Sequence, residues 1–376
     1  MLTVKQVLTR REQKEFLDFP LKLYRNDPYF VPPLYADEKL IFSKNYVYSD
    51  TCDTVYYNAY RDGRMVGRIS GIIQKASNEK NGEKRVRFTR FDSENDPEAA
   101  EELFKAVEKW AVENGMDTVC GPLGFSDLER EGLLVEGFDQ PQTFEEQYNY
   151  PYYADLIERC GYVKEVDWLE SQIRAPKEGL EKLHDMAEFV LKRYDLHRGE
   201  ARNVSDFLNR YADGFFDILD RSYDKIYGTV PFTPAMKKQM ISNFKLLIDL
   251  RFVCVILDRN GRVVCIGLCL PSISEAVRSS GGRLTPATVI RILKAKKRPK
   301  VIDFALIGVE PEYLNKGISA VVASYAVRML SDPSIDHAET NLNLEDNAAI
   351  RNLWKRFDSK ENKRRRCYVK KLGDNV

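Results

Sequence analysis

Residues 301–330 read VIDFALIGVEPEYLNKGISAVVASYAVRML, and their reading decides the fold. The run from Val301 to Val309 is apolar apart from Asp303 and dense in β-favouring residues, which predicts a buried strand. Glu310 and Pro311 end it, and a short polar turn from Glu312 to Lys316 leads to Gly317. Beyond the glycine, Ile318, Val321, Val322, Tyr325 and Met329 fall on one helical face. A strand, a tight glycine turn and a helix aim several unpaired backbone N–H groups at one point, and the helix dipole reinforces them. Such a turn suits a phosphate or pyrophosphate. The same spacing also fits an αβ unit whose glycine serves only close packing.

The text that follows adds a family resemblance. Strand, VEPEY, a KG turn and an apolar helix resemble the acyl-CoA-binding core of the GNAT N-acetyltransferases. Downstream, AETNLNLEDNAAIRNLWKRF (338–357) resembles that family's next strand and helix, and KRRRCYVKKL (363–372) its closing strand. The resemblance runs in order over about residues 200–372. It implies acetyl-CoA or another acyl-CoA as co-substrate, with no metal. It further implies direct attack of an amine on the thioester, with cofactor contacts from Ile307, Val309, Asn315, Lys316, Gly317, Ile318, Ser319 and Asn347. The chain departs from the family pattern at two places. Leu314 replaces an Arg or Gln, removing a phosphate contact of roughly 1.5–3 kcal/mol. Trp354 stands where the family has a proton-donating tyrosine, and tryptophan supplies no useful proton near neutral pH.

Length and composition bound the rest. With 376 residues, two domains are expected, each with its own core. A formal net charge of +1 gives no global reason to expect nucleic acid or a membrane surface. No apolar run reaches the length of a membrane span, and the N-terminus lacks a secretory apolar segment. Seven scattered cysteines without a CxxC pair suggest reduced cytoplasmic thiols that act as small hydrophobes. His184, His197 and His337 lie far apart in sequence, which argues against a histidine-centred mechanism.

Read in order, the chain repeats itself. A strand at 3–7 and a helix at 10–24 precede a proline-pinned loop with Pro28, Pro32 and Pro33. Strands at 53–60 and 64–73 are joined by Asp62-Gly63, a strong hairpin signal. A loop at 75–84, a strand at 85–91, a helix from Asp96-Pro97 and a strand from Asp117 follow. The second half offers the same order, with strands at 252–257 and 262–270 around a turn at 258–261. Both hairpins carry Gly-Arg-x-Val, at Gly63–Val66 and Gly261–Val264. A helix, Cys160-Gly161-Tyr162 and a strand ending near Ile173 resemble the close of a GNAT fold. Helical segments at 180–194 and 203–223 would open the second unit.

The expected fold class is therefore α/β (α+β): a tandem GNAT-like acyl-CoA N-acyltransferase fold with a mixed, mostly antiparallel sheet flanked by helices in each half. Residues 1–175 form an N-terminal domain lacking the pyrophosphate loop, since DSENDPEAAE (92–101) places three acids before Pro97 and no glycine. Residues 180–376 form a C-terminal domain with a degenerate acyl-CoA-binding turn.

The expected activity is N-acyl transfer from acyl-CoA to a small-molecule or peptide amine. An alkyl amine of pKa near 10 is neutral in only about one molecule in a thousand at pH 7, so a positioned base offsets roughly 4–5 kcal/mol. Candidate bases are Glu310, Asp303 and Glu345, with Glu339 beside them. The resemblance implies that the thioester oxygen is polarised by a backbone N–H near Ile307 to Val309. The stretch 121–153, rich in glycines, acids and aromatics, reads either as an ordered lid or as a pocket for acceptor or acyl group. Glu136, Asp139, Asn149 and Tyr152 are its candidate substrate residues. The basic runs Lys294–Lys300 and Lys363–Lys371 read as solvated faces, or as counter-charge for the CoA 3′-phosphate or for tRNA. Two alternative functions stay open: aminoacyl-tRNA-dependent transfer, and a non-catalytic GNAT-fold binding protein.

Overall fold

A computed structural model describes residues 1–373. The chain forms two compact units, and neither is one contiguous stretch. The first comprises residues 1–169, 274–289 and the segment from Lys363 onward; the second comprises 170–273 and 290–362. The expected division at 175–180 ignores two exchanges. Residues 163–169 of one strand belong to the first unit and its remainder to the second, and the last strand of the chain closes the first unit rather than the second.

The first unit opens with β1 (Leu2–Gln6) and α1 (Arg10–Leu23), whose first turn carries a Thr9–Glu12 capping box. A short helix α2 (Tyr35–Leu40) leads to the hairpin of β2 (Cys52–Arg61) and β3 (Arg64–Gln74). Asp62 and Gly63, at φ of 50° and 80°, make its turn. Then come α3 (Lys75–Asn81), β4 (Arg85–Ser93), α4 (Pro97–Glu113), β5 (Thr118–Gly121), β6 (Leu133–Glu136), α5 (Tyr153–Arg159) and β7 (Val163–Arg174). The helix α3 lies where a loop was expected. Gln74 caps its start by accepting from Ala76 N–H, and Gly82 ends it in the left-handed region, so the caps outweigh its polar composition.

The second unit contains α6 (Leu180–Arg193), β8 (His197–Arg198), α7 (Val204–Ser222), α8 (Pro234–Phe244), β9 (Val253–Leu257) and β10 (Val263–Pro271). A short helix α9 (Ser274–Arg278) follows, then α10 (Pro286–Lys297), β11 (Val301–Val309), α11 (Ile318–Leu330), β12 (His337–Thr340), β13 (Asn343–Leu344), α12 (Ala348–Trp354) and β14 (Asp358–Lys371).

In the first unit the strands run β1-β2-β3-β4-β5-β14, antiparallel except for the parallel pair β4–β5, and Tyr368 to Lys371 of β14 pair with Gly121 to Thr118. In the second, β12-β11-β10-β9-β8 repeats the scheme, with β11–β12 parallel and β12 closed by Gln172 and Ile173 of β7. The fourth strand of each unit also carries a bulge. In β4 the register slips around Arg90, and in β11 it skips Ala305. Mixed sheets flanked by helices are thus laid out twice.

Cores follow the helix stripes. Leu103, Phe104, Val107 and Ala111 of α4 pack on Val86, Phe88 and Phe91 in the first unit. Ala320, Ala323 and Val327 of α11 pack on Ile302 and Ala338 in the second. The seven cysteines are all free, five of them buried. Residues 278–286 are tied into the first unit: Arg278 donates to Pro28 O at 2.7 Å and Tyr35 N–H to Gly282 O at 2.9 Å.

The face of β4 away from α4 carries arginines instead of hydrocarbon. Arg90 forks onto Glu38 at 2.9 and 3.0 Å and takes a positive φ of 50°, a strained value for a long side chain. Burial alone would raise the Glu38 carboxyl, but Arg90, with Arg68 and Arg130 behind it, holds it at about 2 instead of 4.5. The unfolded carboxyl titrates higher, so the pair's stabilisation is full above about pH 4.5. It is lost as pH falls toward 2, and amounts to about 3 kcal/mol. In Glu38→Gln this dependence disappears: thermal unfolding followed from pH 6 to 2.5 should show the variant's deficit shrinking as pH falls.

Candidate functional site

The site is built where β11 leaves its neighbour. Parallel pairing with β12 runs from Val301↔His337 to Phe304↔Thr340, and no further register pair joins the two strands among the described residues. One residue later comes the Ala305 bulge. From there to Val309, β11 keeps its antiparallel partner β10, while its other edge opens. Asn341 donates to Ala305 O at 3.1 Å, and the Tyr223 hydroxyl donates to Ile307 O at 3.0 Å. Gly308 lets α7 lie directly on this strand: a Cβ there would meet Ile218 Cγ2 at 2.4 Å.

The strand then enters the turn. Pro311–Tyr313 form one turn of 3₁₀ helix, with Tyr313 N–H bonded to Glu310 O and Lys316 N–H to Tyr313 O. Gly317 follows in the left-handed region at φ 78°, and its missing Cβ would stand 3.1 Å from Val190 of α6. Among the described residues no side chain caps the start of α11. Ala320 N–H reaches back to Gly317 O, but among the described residues the N–H groups of Gly317, Ile318 and Ser319 have no backbone acceptor. Lys316 lies over the Tyr313 ring at 4.3 Å and the Tyr194 ring at 5.6 Å. Asn315 is exposed beside it.

The equivalent helix of the first unit is closed. Asp96 accepts from Ala99 N–H at 3.2 Å and forks onto Arg61, while Asp92 pairs with buried Arg68 and Glu94 with Arg64. Asp96 therefore occupies the place at the α4 N-terminus that a phosphate would need.

The predicted residues separate into groups. Asp303 and Glu339 are register partners on β11 and β12, at the last pair but one before the strands part. Glu339 also accepts from Gln172 at 3.2 Å and Asn362 at 3.0 Å, with His337 Nε2 3.2 Å away. Glu310 is buried and held by both arms of Arg221, so it is a fixed anion rather than an open base. Glu345 sits half-buried at the start of the α12 turn, where Arg351 reaches its carbonyl. Asn347 spends its side chain on the α12 N-terminus, accepting from Ile350 N–H at 3.2 Å.

Trp354 stacks near Phe304, ring centroids 5.6 Å apart, and donates from its indole to Asn343 at 2.7 Å. The candidate residues of 121–153 lie in the other unit and do not converge. Asn149 is fully buried and clamps the backbone of Leu134 in both directions, Tyr152 donates to Ser93 O, Glu136 pairs with Arg364, and Asp139 is exposed.

Sequence reasoning missed His337 and Tyr223. His337 sits two residues from Glu339 on the same strand, so the signal was the alternation of β12, read without its partner strand. Tyr223 ends a helix 84 residues before Ile307, and nothing short of the fold brings them together. A cleft of about 730 Å³ also opens in the second unit, lined by Phe207, Tyr211, Val255, Val321, Tyr325 and Arg328 among others. None of the residues of the strand fork or the turn lines it.

No family model matches the chain. It is 28% identical to Protein YghO of Escherichia coli over 381 residues, covering 98% of this chain and 95% of that protein. It is 27% identical over 383 residues to a bacterial ceramide synthase of Caulobacter vibrioides, covering 99% and 98%. Among solved structures, a tandem GNAT protein from the clavulanic acid biosynthesis pathway superposes over the full length of both chains with a TM-score of 0.55 at 12% identity. That last likeness shows the architecture: the chain has the tandem GNAT fold.

Proposed function

We propose that the protein is an N-acyltransferase that moves an acyl group from acyl-CoA to an amine, using the second unit. The observation that carries this reading is the contrast between two equivalent helices. The first, α4, is stopped by its own Asp96, whereas α11 opens behind a left-handed glycine with uncapped N–H groups. Backbone donors at Gly317, Ile318 and Ser319 would take the pyrophosphate, with Asn315 and Lys316 beside them. The acyl arm would follow the free edge of β11 from Val309 toward Ile307.

The reaction needs three things of this chain. A base takes the amine proton as the nitrogen lone pair attacks the thioester carbon. A donor holds the oxyanion, and a proton reaches the departing thiolate as the C–S bond breaks. We assign the base to the carboxylate pair Asp303 and Glu339, with His337 against Glu339. Glu345 lies farther along the chain, half-buried before α12. The Tyr223 hydroxyl, on Ile307 O, takes the donor role that Trp354 does not fill. The acceptor is read as the amine of a long-chain amino alcohol. This rests on the full-length relative named a ceramide synthase, since a ceramide is the amide of such an amine.

Calorimetric titration with CoA, acetyl-CoA and a long-chain acyl-CoA tests the site. Micromolar binding, strongest for the long chain, is expected; no binding by any of the three would remove the CoA reading. Within it, Glu339→Gln should bind acyl-CoA as the parent does while kcat falls about a hundred-fold. A rise in KM at unchanged kcat would instead make Glu339 a binding residue.

A further inference from the structure

The basic run at 294–300 plays no part in the site above. It ends α10, and its surroundings differ from those of an ordinary solvated helix face. Ile292 is buried, at 3% exposure. On the opposite side Ile290 is 54% and Leu293 45% exposed. At 100° per residue, Lys294 and Lys297 fall between and beside these two, so the outward face interleaves branched apolar side chains with ammonium groups. A third exposed apolar residue adjoins it: Leu246, 49% exposed, is fixed beside the helix end because Lys296 donates to its carbonyl at 2.8 Å.

Along this stretch of chain the charge is of one sign. From Ala276 to Ile302 the sequence contains eight Lys or Arg and no Asp or Glu. Among the described residues no carboxylate pairs with Lys294, Lys297, Arg298 or Lys300, although the protein carries 57 acids against 58 bases overall. Neutralisation on average has been bypassed locally. A solvated helix face normally mixes signs and hides its leucines, whereas exposed Ile and Leu ringed by unpaired cations fit a surface that is anionic above and apolar beneath.

We propose that the outward face of α10, with Ile290, Leu293 and Leu246 as the inserting residues and Lys294, Lys297, Arg298 and Lys300 as the rim, docks the protein on an anionic lipid bilayer. The lysine stems can lie along the apolar surface while their charges stay at the headgroups. RNA would use the same cations, but it would stack on aromatic rings, and residues 284–300 contain none. The inference stands on this surface alone and does not depend on the acyl-transfer reading.

Flotation of the full chain with vesicles separates these possibilities. The parent protein should float with vesicles of phosphatidylcholine and phosphatidylglycerol and stay behind with phosphatidylcholine alone. Lys294→Gln with Lys297→Gln should weaken binding about five-fold per charge, and Ile290→Glu with Leu293→Glu should abolish it. All four positions are exposed, so unfolding temperatures should match the parent's. No flotation of the parent at physiological salt would overturn the proposal. So would flotation undiminished by the double Glu variant, or binding to a homopolymer RNA that outcompetes the vesicles.

Discussion

Glu146→Leu is expected to destabilise the first unit by about 3–5 kcal/mol, the cost of removing one partner from a buried ion-pair cluster. Lys363 and Arg365 lie on β14 with side chains fully buried, and Glu146 meets them at 3.2 and 3.4 Å with its own side chain 1% exposed. Remove the carboxylate, and both cations lose this partner in a low-dielectric interior. Arg365 also donates to Gln147 O and Gln142 Oε1, which hold the guanidinium but carry no formal charge. For a unit of this size the expected fall in Tm is about 2–4 °C per kcal/mol, or roughly 6–20 °C. Thermal unfolding followed by circular dichroism checks it. A fall of only a degree or two would mean that water or neighbouring amides satisfy the two cations without Glu146.

The second large effect concerns ligand rather than stability. Gly317→Asp puts a carboxylate where the α11 N–H groups would meet a pyrophosphate. Two like charges about 5 Å apart at an effective dielectric of about 20 repel by about 3 kcal/mol, so acyl-CoA binding should weaken more than a hundred-fold. The substitution also forces a side chain into a left-handed position, at about 1–2 kcal/mol, and toward Val190. Gly317→Ala carries that backbone cost without the charge. It should keep most of the affinity lost by the Asp variant, with both variants showing a similar Tm. Equal loss in the two would make Gly317 a packing residue, which is the plainer reading of the same sequence.

These two residues mark what the sequence discloses. The strand-turn-helix at 301–330 is local: a nine-residue apolar run, a proline stop, a glycine and a 3.6-residue stripe each act over a few positions, and the structure places β11 and α11 within a residue of them. The repeated hairpins are equally local, since Asp62-Gly63 and the turn at Gly261 fix their own geometry.

The basic run at 363–371 is different. It reads as a solvated face or a counter-charge for a ligand, yet most of it is absorbed inside the first unit. Lys363 and Arg365 meet Glu146, Arg364 and Arg366 meet Asp167, and Lys370 meets Glu108. Composition cannot tell a solvated cation from one buried against a carboxylate more than 200 residues away. The same holds for β14 itself, which closes the first unit although it is written at the end of the chain. For the candidate site, Gly317 and Asp303 were legible from their spacing, whereas Tyr223 and the Glu339–His337 contact required the register. Asn149 and Asn347 are polar residues whose side-chain hydrogen bonds go to main-chain groups of Leu134 and Ile350, a use that competes with any ligand and leaves no mark in sequence.

The most direct test of acyl transfer is product formation. The protein would be incubated with palmitoyl-CoA and a long-chain amino alcohol, with mass spectrometry following the amide and a thiol reagent following free CoA. Amide and free CoA rising together in equal amounts, and both lost in Gly317→Asp, is the predicted result. Tight acyl-CoA binding with no amide formed from this or any of a panel of amines would contradict it, and would leave a binding protein built on the fold of an enzyme.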